Sequence, residues 1–268
     1  MSRFHRVAKL PAWRLMALHS WKPPSDPTVY GVIEVDAGPI QSYVVGLREK
    51  SGVKVTLTHV VGKAVAVAIA ARPEVNAIVR RGRLYVRDSI DIFFQVAFEG
   101  GENLAGAKVD NADTKHVIEI ARELSERSER IRKHKDLPTQ KSARTLSRLP
   151  PGLLRFAMRA GEVLTYDLDL DLSRFGVPYD AFGSCMVTSV ANFGLSVGHA
   201  PLFPPGRVPL VLTLGSVRDA PAVVDGRVVV RPTLTIGASF DHRLVDGYHA
   251  GMMAKRFREV LENPDTLG

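Results

Sequence analysis

The spacing of apolar and polar residues changes several times along the chain, and each spacing predicts an element of secondary structure. β-Branched residues at positions 29–35 follow a proline-rich stretch and predict a strand. Residues 56–71 are almost continuously Val, Ala and Ile, which at this length predicts a mostly buried helix that ends before Pro73. Two short strands are predicted next, at residues 83–86 and 90–98.

The middle of the chain alternates between helical and strand-like spacing. Residues 114–133 place an apolar stripe among alternating charges, which predicts a long surface helix. Apolar residues then recur at helical spacing between residues 146 and 158 and are interrupted by Pro150 and Pro151, which predicts two helices separated by a kink. Residues 164–172 alternate Leu or Tyr with Thr or Asp, and this period of two predicts a strand.

The last third of the chain is predicted to consist of strands followed by one helix. The strands are expected at residues 185–190, 208–216, 227–230 and 232–240, and an amphipathic helix at residues 248–261. Strands outnumber helices, and they do not alternate strictly with them. We therefore predict an α+β domain with a mixed β-sheet rather than a doubly wound sheet.

The composition indicates a folded protein with an excess of positive charge. The chain has 268 residues, 45% of them apolar, and we interpret it as a single domain. Its one cysteine, Cys185, excludes an internal disulfide and a cysteine-based zinc site. The formal charge of +8 favours polyanionic partners, a class that includes nucleic acids, anionic lipid surfaces and phosphate-bearing cofactors.

Targeting signals are not evident in the sequence. No apolar run approaches the roughly 18 residues that cross a bilayer, so no transmembrane segment is predicted. The basic N-terminal stretch lacks the continuous apolar centre and the cleavage site of a secretory signal. The expected location is the cytoplasm, in agreement with the low cysteine content.

The most specific motif is SFDHRLVDG at residues 239–247, at the junction between a predicted strand and the last predicted helix. His242 lies at this junction, and because the imidazole pKa is ordinarily near 6.5 it is a candidate general base. Asp246 follows four residues later, at the start of the helix. An Asp-His-Arg cluster at the start of a helix is often helix capping combined with a surface ion pair, and on spacing alone this interpretation is favoured over catalysis.

Three segments together resemble one known family. The motif continues through Ala250 to Leu-Glu-Asn-Pro at residues 261–264. Residues 53–77 read VKVTLTHVVGKAVAVAIAARPEVNA, and Asn-Ala-Asp at 111–113 is followed by Glu-Ile-Ala at 119–121. These segments are similar to the catalytic domain of the dihydrolipoyl acyltransferases of 2-oxoacid dehydrogenase complexes. That domain is related to chloramphenicol acetyltransferase, so the resemblance implies a two-layer sandwich with a mixed sheet and packed helices.

The resemblance implies transfer of an acyl group between a dihydrolipoyl thiol and the thiol of coenzyme A. A thiol must lose its proton to attack, and attack on a thioester builds negative charge on the carbonyl oxygen. His242 fits the base, and Thr188 in the segment MVTSVANFG matches the family's hydroxyl donor. Ser189 is the adjacent alternative. Because neighbouring residues of a strand point to opposite faces, only one of the two hydroxyls can face the site.

The same resemblance suggests roles for the other residues of the motif. Asp246 is expected to hold the base motif in place by pairing with an arginine, for which Arg14 is the candidate. Arg243 is either the ion-pair partner of Asp241 or a ligand contact, and both roles are open. Ser239 and Asp241 are the candidate ligand-binding residues.

No metal site is predicted. The histidines outside the motif lack metal-ligand spacing with a second His or Cys. Asp167, Asp169 and Asp171 alternate with leucines, and we interpret them as the solvent face of a strand rather than as a calcium site.

The chain departs from the family in ways that affect its partners. It shows no lipoyl domain and no subunit-binding domain, so the lipoyl group is expected in trans from another protein, with other dehydrogenase-complex subunits as further partners. A basic insertion lies at about residues 137–180, and it is expected to cover the site or to bind a partner. Residues 130–159 contain nine Lys or Arg residues and one acidic residue, Asp136. Residues 103–109 differ from the family's substrate-channel segment, which leaves the acyl group open.

Two other functions and the assembly complete the expectations. The protein is alternatively an acyl-CoA-dependent acyltransferase without a lipoyl substrate, or a non-catalytic scaffold or membrane-surface protein that uses the basic insertion. The family's site forms between subunits, so a homotrimer is expected. Only Asp-Thr-Leu-Gly follows Pro264, which argues against a larger cubic core. Coenzyme A is expected in a channel that opens toward basic surface, and no nucleic acid partner is expected.

Overall fold

This computed structural model describes residues 26–98, 103–132, 150–175, 177 and 179–267, which form one β-sheet, a separate hairpin and five helices. The strands are β1 (Thr28–Asp36), β2 (Ala77–Arg80), β3 (Arg83–Val86), β4 (Ile92–Phe98), β5 (Asn103–Val109), β6 (Cys185–Ser189), β7 (Leu210–Leu214), β8 (Arg218–Val224) and β9 (Arg227–Asp241). The helices are α1 (Ala37–Ser51), α2 (Leu57–Ala70), α3 (Val117–Arg132), α4 (Pro151–Glu162) and α5 (Gly247–Glu262).

The main sheet has seven strands and is mixed. Its order is β1-β9-β7-β6-β4-β5, with β8 also paired to β9, while β2 and β3 form the separate hairpin. Strand β6 is parallel to both of its neighbours, β4 and β7. Strands β1, β7 and β8 are antiparallel to β9, and β5 is antiparallel to β4. The prediction of an α+β fold with a mixed sheet is therefore confirmed.

The two faces of the sheet are covered differently. On one face, side chains such as Cys185 and Val187 of β6 belong to the main core, together with buried residues of α1, α2, α3 and α5. On the opposite face, Met186 packs with Phe93, Phe182 and the loop that follows β6. We call the first the helix face and the second the loop face. Alternate residues of each strand therefore have different environments.

Two glycines allow the elements on each face to pack closely against the sheet. A β-carbon at Gly62 of α2 would lie 2.2 Å from the ring of Phe94, so the glycine lets the helix approach β4. A β-carbon at Gly237 would lie 2.1 Å from the carbonyl oxygen of Gly198. Because Gly237 lacks this atom, the loop between β6 and β7 can lie directly on β9.

Several predicted elements agree with the structure and others were not anticipated. The predicted helices at residues 56–71, 114–133 and 248–261 correspond to α2, α3 and α5. The strands predicted at 227–230 and 232–240 are one continuous strand, β9, in which Pro232 lies opposite Asp219 of β8. The sequence analysis did not anticipate α1, β2, β5 or β8. The first of the two helices predicted around Pro150 lies outside the described residues.

The strand predicted at residues 164–172 was wrong. Residues Val163–Asp167 continue α4 as a π-helical turn, in which the amide of Leu168 donates to the carbonyl of Val163. Of the three aspartates interpreted as a solvent-exposed strand face, Asp167 and Asp169 are instead paired with arginines elsewhere in the fold, whereas Asp171 is exposed. Asp167 pairs with Arg207 at 2.8 Å, and Asp169 pairs with Arg80 at 3.2 Å.

Arg207 is the main link between this segment and the rest of the fold. Its guanidinium contacts both Glu162 and Asp167, donates to the carbonyl of Val79 and lies 5.3 Å from the ring centre of Tyr166. The pairing with Asp167 raises the pKa of Arg207 and lowers the pKa of the carboxyl. The backbone of Arg207 has a φ of 45°, in the left-handed region that L-residues disfavour. No helix of the described residues is long and apolar enough to span a membrane.

Helix α2 begins with an unusual cap that is sensitive to protonation. Nδ1 of His59 accepts a hydrogen bond from the amide of Thr56 at 3.2 Å, which requires the neutral imidazole. The ring also packs edge-on against Phe94, at 6.2 Å between ring centres. Burial, with a smaller contribution from Arg48, lowers the pKa of His59 to about 4.

We predict that this cap makes the free energy of unfolding decrease as the pH falls. In the unfolded chain the histidine protonates near pH 6.5, so the contribution of His59 is complete above that pH and is lost as the pH falls toward 4. A His59→Gln variant keeps an acceptor but does not titrate. The free energy of unfolding is measured with urea at several pH values. Between pH 7 and pH 4.5 it should fall by about 2 kcal/mol more for wild type than for this variant. The exposed His116→Gln serves as the control and should behave as wild type. Identical acid sensitivity of wild type and His59→Gln would contradict the assignment.

Candidate active site

His242 lies at the end of β9, in the turn that leads to α5. Its amide donates to the carbonyl of Pro27 at 3.0 Å, which ties the turn to the start of β1. Its side chain is exposed and makes no hydrogen bond within the described residues. The backbone of this residue is therefore held firmly while its imidazole is available to a reactant.

The neighbours of the histidine form a tight ion pair. Asp241 is buried, and its carboxylate accepts from Nε of Arg243 at 2.9 Å and from Nη2 at 2.6 Å. It also accepts from the amide of Arg243 at 3.0 Å. This pairing raises the pKa of Arg243. Of the two roles considered for Arg243, the described geometry is that of an ion-pair partner, which braces the turn on both sides of His242.

Asp246 caps helix α5. Its Oδ1 accepts from the amide of His249 at 2.9 Å and lies 2.7 Å from Nδ1 of the same histidine. The backbone hydrogen bond and the adjacent imidazole lower the pKa of Asp246. Within the described residues the side chain that contacts its carboxylate is thus the imidazole of His249 rather than an arginine. Arg14, the arginine considered from the sequence, lies outside the described residues.

The two candidate hydroxyl groups of β6 lie on opposite faces of the sheet. Ser189 is on the helix face, where its Oγ accepts from the amide of Ala191 at 3.3 Å and lies 3.4 Å from the carbonyl oxygen of Leu214. Thr188 is on the loop face, is half-buried, and forms no hydrogen bond within the described residues. The hydroxyl of Ser189 is therefore engaged in closing the end of the strand, whereas that of Thr188 is free to bind another group.

One chain does not bring Thr188 and His242 together. Thr188 lies opposite Thr213 of β7, which in turn lies opposite Gly237 of β9. His242 is five residues beyond Gly237. At about 3.3 Å per residue along a strand and about 4.8 Å between strands, the two side chains are roughly 20 Å apart. Groups that act on one reacting centre must lie within about 3 Å of it, so these two residues do not serve one site within a single chain.

A cavity of about 470 Å³ opens beside the His242 turn. Its wall includes Asp241, Arg243 and Leu244 from the turn, with Pro27 from the start of β1. Its lining also includes Arg207 with its two partners, Glu162 and Asp167. The end of α4 and the turn that follows it thus contribute to this cavity. Sequence reasoning did not identify Arg207. The signal was present as three acids at residues 167–171 in an otherwise basic region, since such acids usually require cationic partners.

A second cavity, of about 960 Å³, lies on the helix face at the end of β6. It is lined by Ser189, Asn192, His59 and Gln95, among others. Thr188 does not line this cavity. Of the two hydroxyl residues of β6, only Ser189 therefore lines this cavity.

The residues considered for ligand binding present few free polar groups. Ser239 is fully buried, and its hydroxyl has no hydrogen-bond partner in the structure. The carboxylate of Asp241 is occupied by Arg243. In the part of the chain that the structure describes, no three His, Cys, Asp or Glu side chains converge as metal ligands.

Known proteins resemble this chain over most of its length. The family described as 2-oxoacid dehydrogenases acyltransferase (catalytic domain) matches residues 18–147 and 181–268. The succinyltransferase component of the 2-oxoglutarate dehydrogenase complex of Bos taurus is 27% identical over 224 residues, which are 82% of this chain and 39% of that protein. The acetyltransferase component of the acetoin cleaving system of Bacillus subtilis is 27% identical over 221 residues, with 82% and 44% covered. The chain spans less than half the length of these relatives.

A solved structure confirms the predicted fold. The dihydrolipoamide acetyltransferase of Azotobacter vinelandii superposes with a TM-score of 0.66 at 21% identity, covering 98% of this chain and 94% of the other. The family pattern leaves residues 148–180 unmatched, the part of the chain that contains α4 and its acidic anchors. The resemblance predicted from the three sequence segments is confirmed. The chain belongs to the family of 2-oxoacid dehydrogenase acyltransferase catalytic domains.

Proposed function

We propose that the protein transfers an acyl group between a dihydrolipoyl thiol and the thiol of coenzyme A. Family membership supports the reaction type. The observation on which the proposal depends is the exposed imidazole of His242 on a firmly held turn at the end of β9. In the Azotobacter vinelandii enzyme, a serine, a histidine and an asparagine four residues after it have been investigated for their role in catalysis. Here Asp246 follows His242 at the same spacing.

His242 acts as the general base in this proposal. A neutral imidazole accepts the thiol proton, and the resulting thiolate attacks the carbonyl carbon of the thioester. The proton then passes from the imidazolium to the departing thiolate, so the base is regenerated. The Asp241–Arg243 pair and the bond to Pro27 act as positioning contacts, because they fix the backbone of the turn without contacting the imidazole.

Thr188 donates a hydrogen bond to the oxygen of the tetrahedral intermediate. Its hydroxyl is the one of the two on β6 that has no partner within the described residues. A donor that is already oriented when negative charge develops lowers the barrier more than one that must first break another bond. Asp246 keeps the start of α5 in place through His249.

The separation of the two groups supports assembly into a homotrimer. Since Thr188 and His242 are roughly 20 Å apart in one chain, a complete site requires Thr188 from one subunit and His242 from its neighbour. Leu267 is 4% exposed and packs into the core of its own chain, so this leucine is not free to dock into a second trimer. We therefore propose an isolated trimer rather than a larger cubic core.

We predict that His242→Ala reduces turnover at least about a hundredfold, because it removes the base. The matched control is His116→Ala, which removes another exposed histidine and should retain full activity. Activity is measured as acyl-CoA consumption with dihydrolipoamide beside a panel of small hydroxyl and amine acceptors. Near-normal activity in a folded His242→Ala protein would refute the base. Turnover only with the other acceptors would refute the lipoyl substrate.

We predict that Thr188→Ala lowers kcat by roughly 10² to 10³ with little change in KM, since the hydroxyl acts on the transition state. Thr188→Ser should recover most of the rate. Ser189→Ala is the matched control on the same strand and should lose far less activity, because its hydroxyl closes the strand end. A larger loss for Ser189→Ala than for Thr188→Ala would transfer the role to Ser189.

We predict a mass near three times 29.3 kDa in light scattering at physiological salt. A mixture of the inactive His242→Ala and Thr188→Ala chains, dissociated and reassembled together, should regain activity because mixed trimers contain intact sites. A monomeric mass with full activity would refute a shared site. A mass of 24 chains or more would show that another surface joins trimers.

A further inference from the structure

The apolar residues of α4 and of the π-helical turn that continues it form one broad arc, and only part of this arc is covered by the fold. The more covered part contains Leu154, Ala157 and Leu164, which are half-buried. The exposed part contains Leu153 and Phe156 of α4 and Val163 of the turn, which are 49%, 70% and 38% exposed. These three residues recur at spacings of three and seven and so form one stripe along the helix.

Two arginines accompany this stripe. Arg155 and Arg159 are exposed, and at 100° per residue they lie beside the stripe, away from the more covered part of the arc. We call Leu153, Phe156, Val163, Arg155 and Arg159 together the α4 surface. No acidic side chain of α4 offsets these charges, because the one acid of the helix, Glu162, is paired with Arg207 at 3.0 Å.

The α4 surface is held in a fixed orientation. Arg207 binds Glu162 and Asp167 at the end of the helix, and the hydroxyl of the buried Tyr166 donates to the carbonyl of Gly206 at 3.0 Å. The family pattern leaves residues 148–180 unmatched, so the sequence of this surface is not part of the pattern that the family shares.

We propose that the α4 surface binds anionic lipid membranes, with the apolar stripe in the headgroup region and the arginines on the lipid phosphates. An amphipathic helix with basic residues beside a Leu/Phe stripe has the chemistry of interfacial helices, for which apolar burial and attraction to anionic lipid add together. A second copy of the chain is a poorer occupant, because the arginines would face a protein of charge +8. This role is additional to acyl transfer and independent of it.

The test is sedimentation with vesicles, using the full chain. Vesicles of phosphatidylcholine containing about one third phosphatidylglycerol are compared with pure phosphatidylcholine, at low and at high salt. Wild type should bind the anionic vesicles at low salt and release from them at high salt. Arg155→Gln combined with Arg159→Gln should weaken binding about twentyfold, and Phe156→Ser at least tenfold.

Matched controls separate this surface from general charge and hydrophobicity. Arg227→Gln combined with Arg258→Gln removes the same charge from other exposed positions, and Val228→Ser removes a valine that is 74% exposed. Both controls should bind as wild type. Circular dichroism and light scattering establish that each variant is folded and has the same mass as wild type.

Three outcomes would overturn the proposal. The first is absence of binding to anionic vesicles by wild type. The second is equal loss of binding in the α4 variants and in the controls. The third is a lower oligomer mass for Phe156→Ser, since the stripe would then be a contact between subunits. None of these measurements uses acyl transfer, so their failure leaves the proposed reaction unaffected.

Discussion

The pairing of β9 with β1 and β7 determines where every group of the candidate site lies. Strand β9 is fifteen residues long, and its register with β1 holds over nine positions, ending with Thr28 opposite Asp241. A slip of one residue would turn Asp241 and Ser239 toward the helices and Phe240 toward the loop face. Because the sheet is packed on both sides, this register is strongly specified, and the position of His242 follows from it.

The parts of the fold that the sequence predicted well are those in which local pattern and burial agree. Helix α2 is apolar along almost its whole length and occupies the centre of the core, so its sequence has few other solutions. The turn at His242 was located because a strand period changes to a helix period there. Strand β5, in contrast, has the sequence NLAGAKV, whose residues have little preference for strands. Its pairing with β4 produces the strand, and that pairing is not visible in the local pattern.

The candidate site also has a part that the sequence predicted and a part that depends on the folded chain. The sequence identified both hydroxyls of β6, but their different roles depend on the turn at Ala191 and the carbonyl of Leu214, which only the folded chain brings near. The alternation at residues 164–172 favoured a strand because the local pattern does not contain the distant contacts of this segment. The partner of Asp167 is Arg207, forty residues away in sequence, so their ion pair is not visible in the local pattern.

Arg207 makes the turn in which it lies and the α4 segment depend on each other. Its left-handed backbone costs about 1 kcal/mol or more relative to glycine, a residue that adopts this conformation without strain. Glycine would relieve that strain but would abolish the contacts with Glu162 and Asp167. A chain without the α4 segment would thus gain by exchanging the arginine, whereas a chain with the segment loses its attachment by doing so. The strained turn and the α4 segment are therefore energetically coupled, so that a substitution in one is expected to be tolerated only with a matching change in the other.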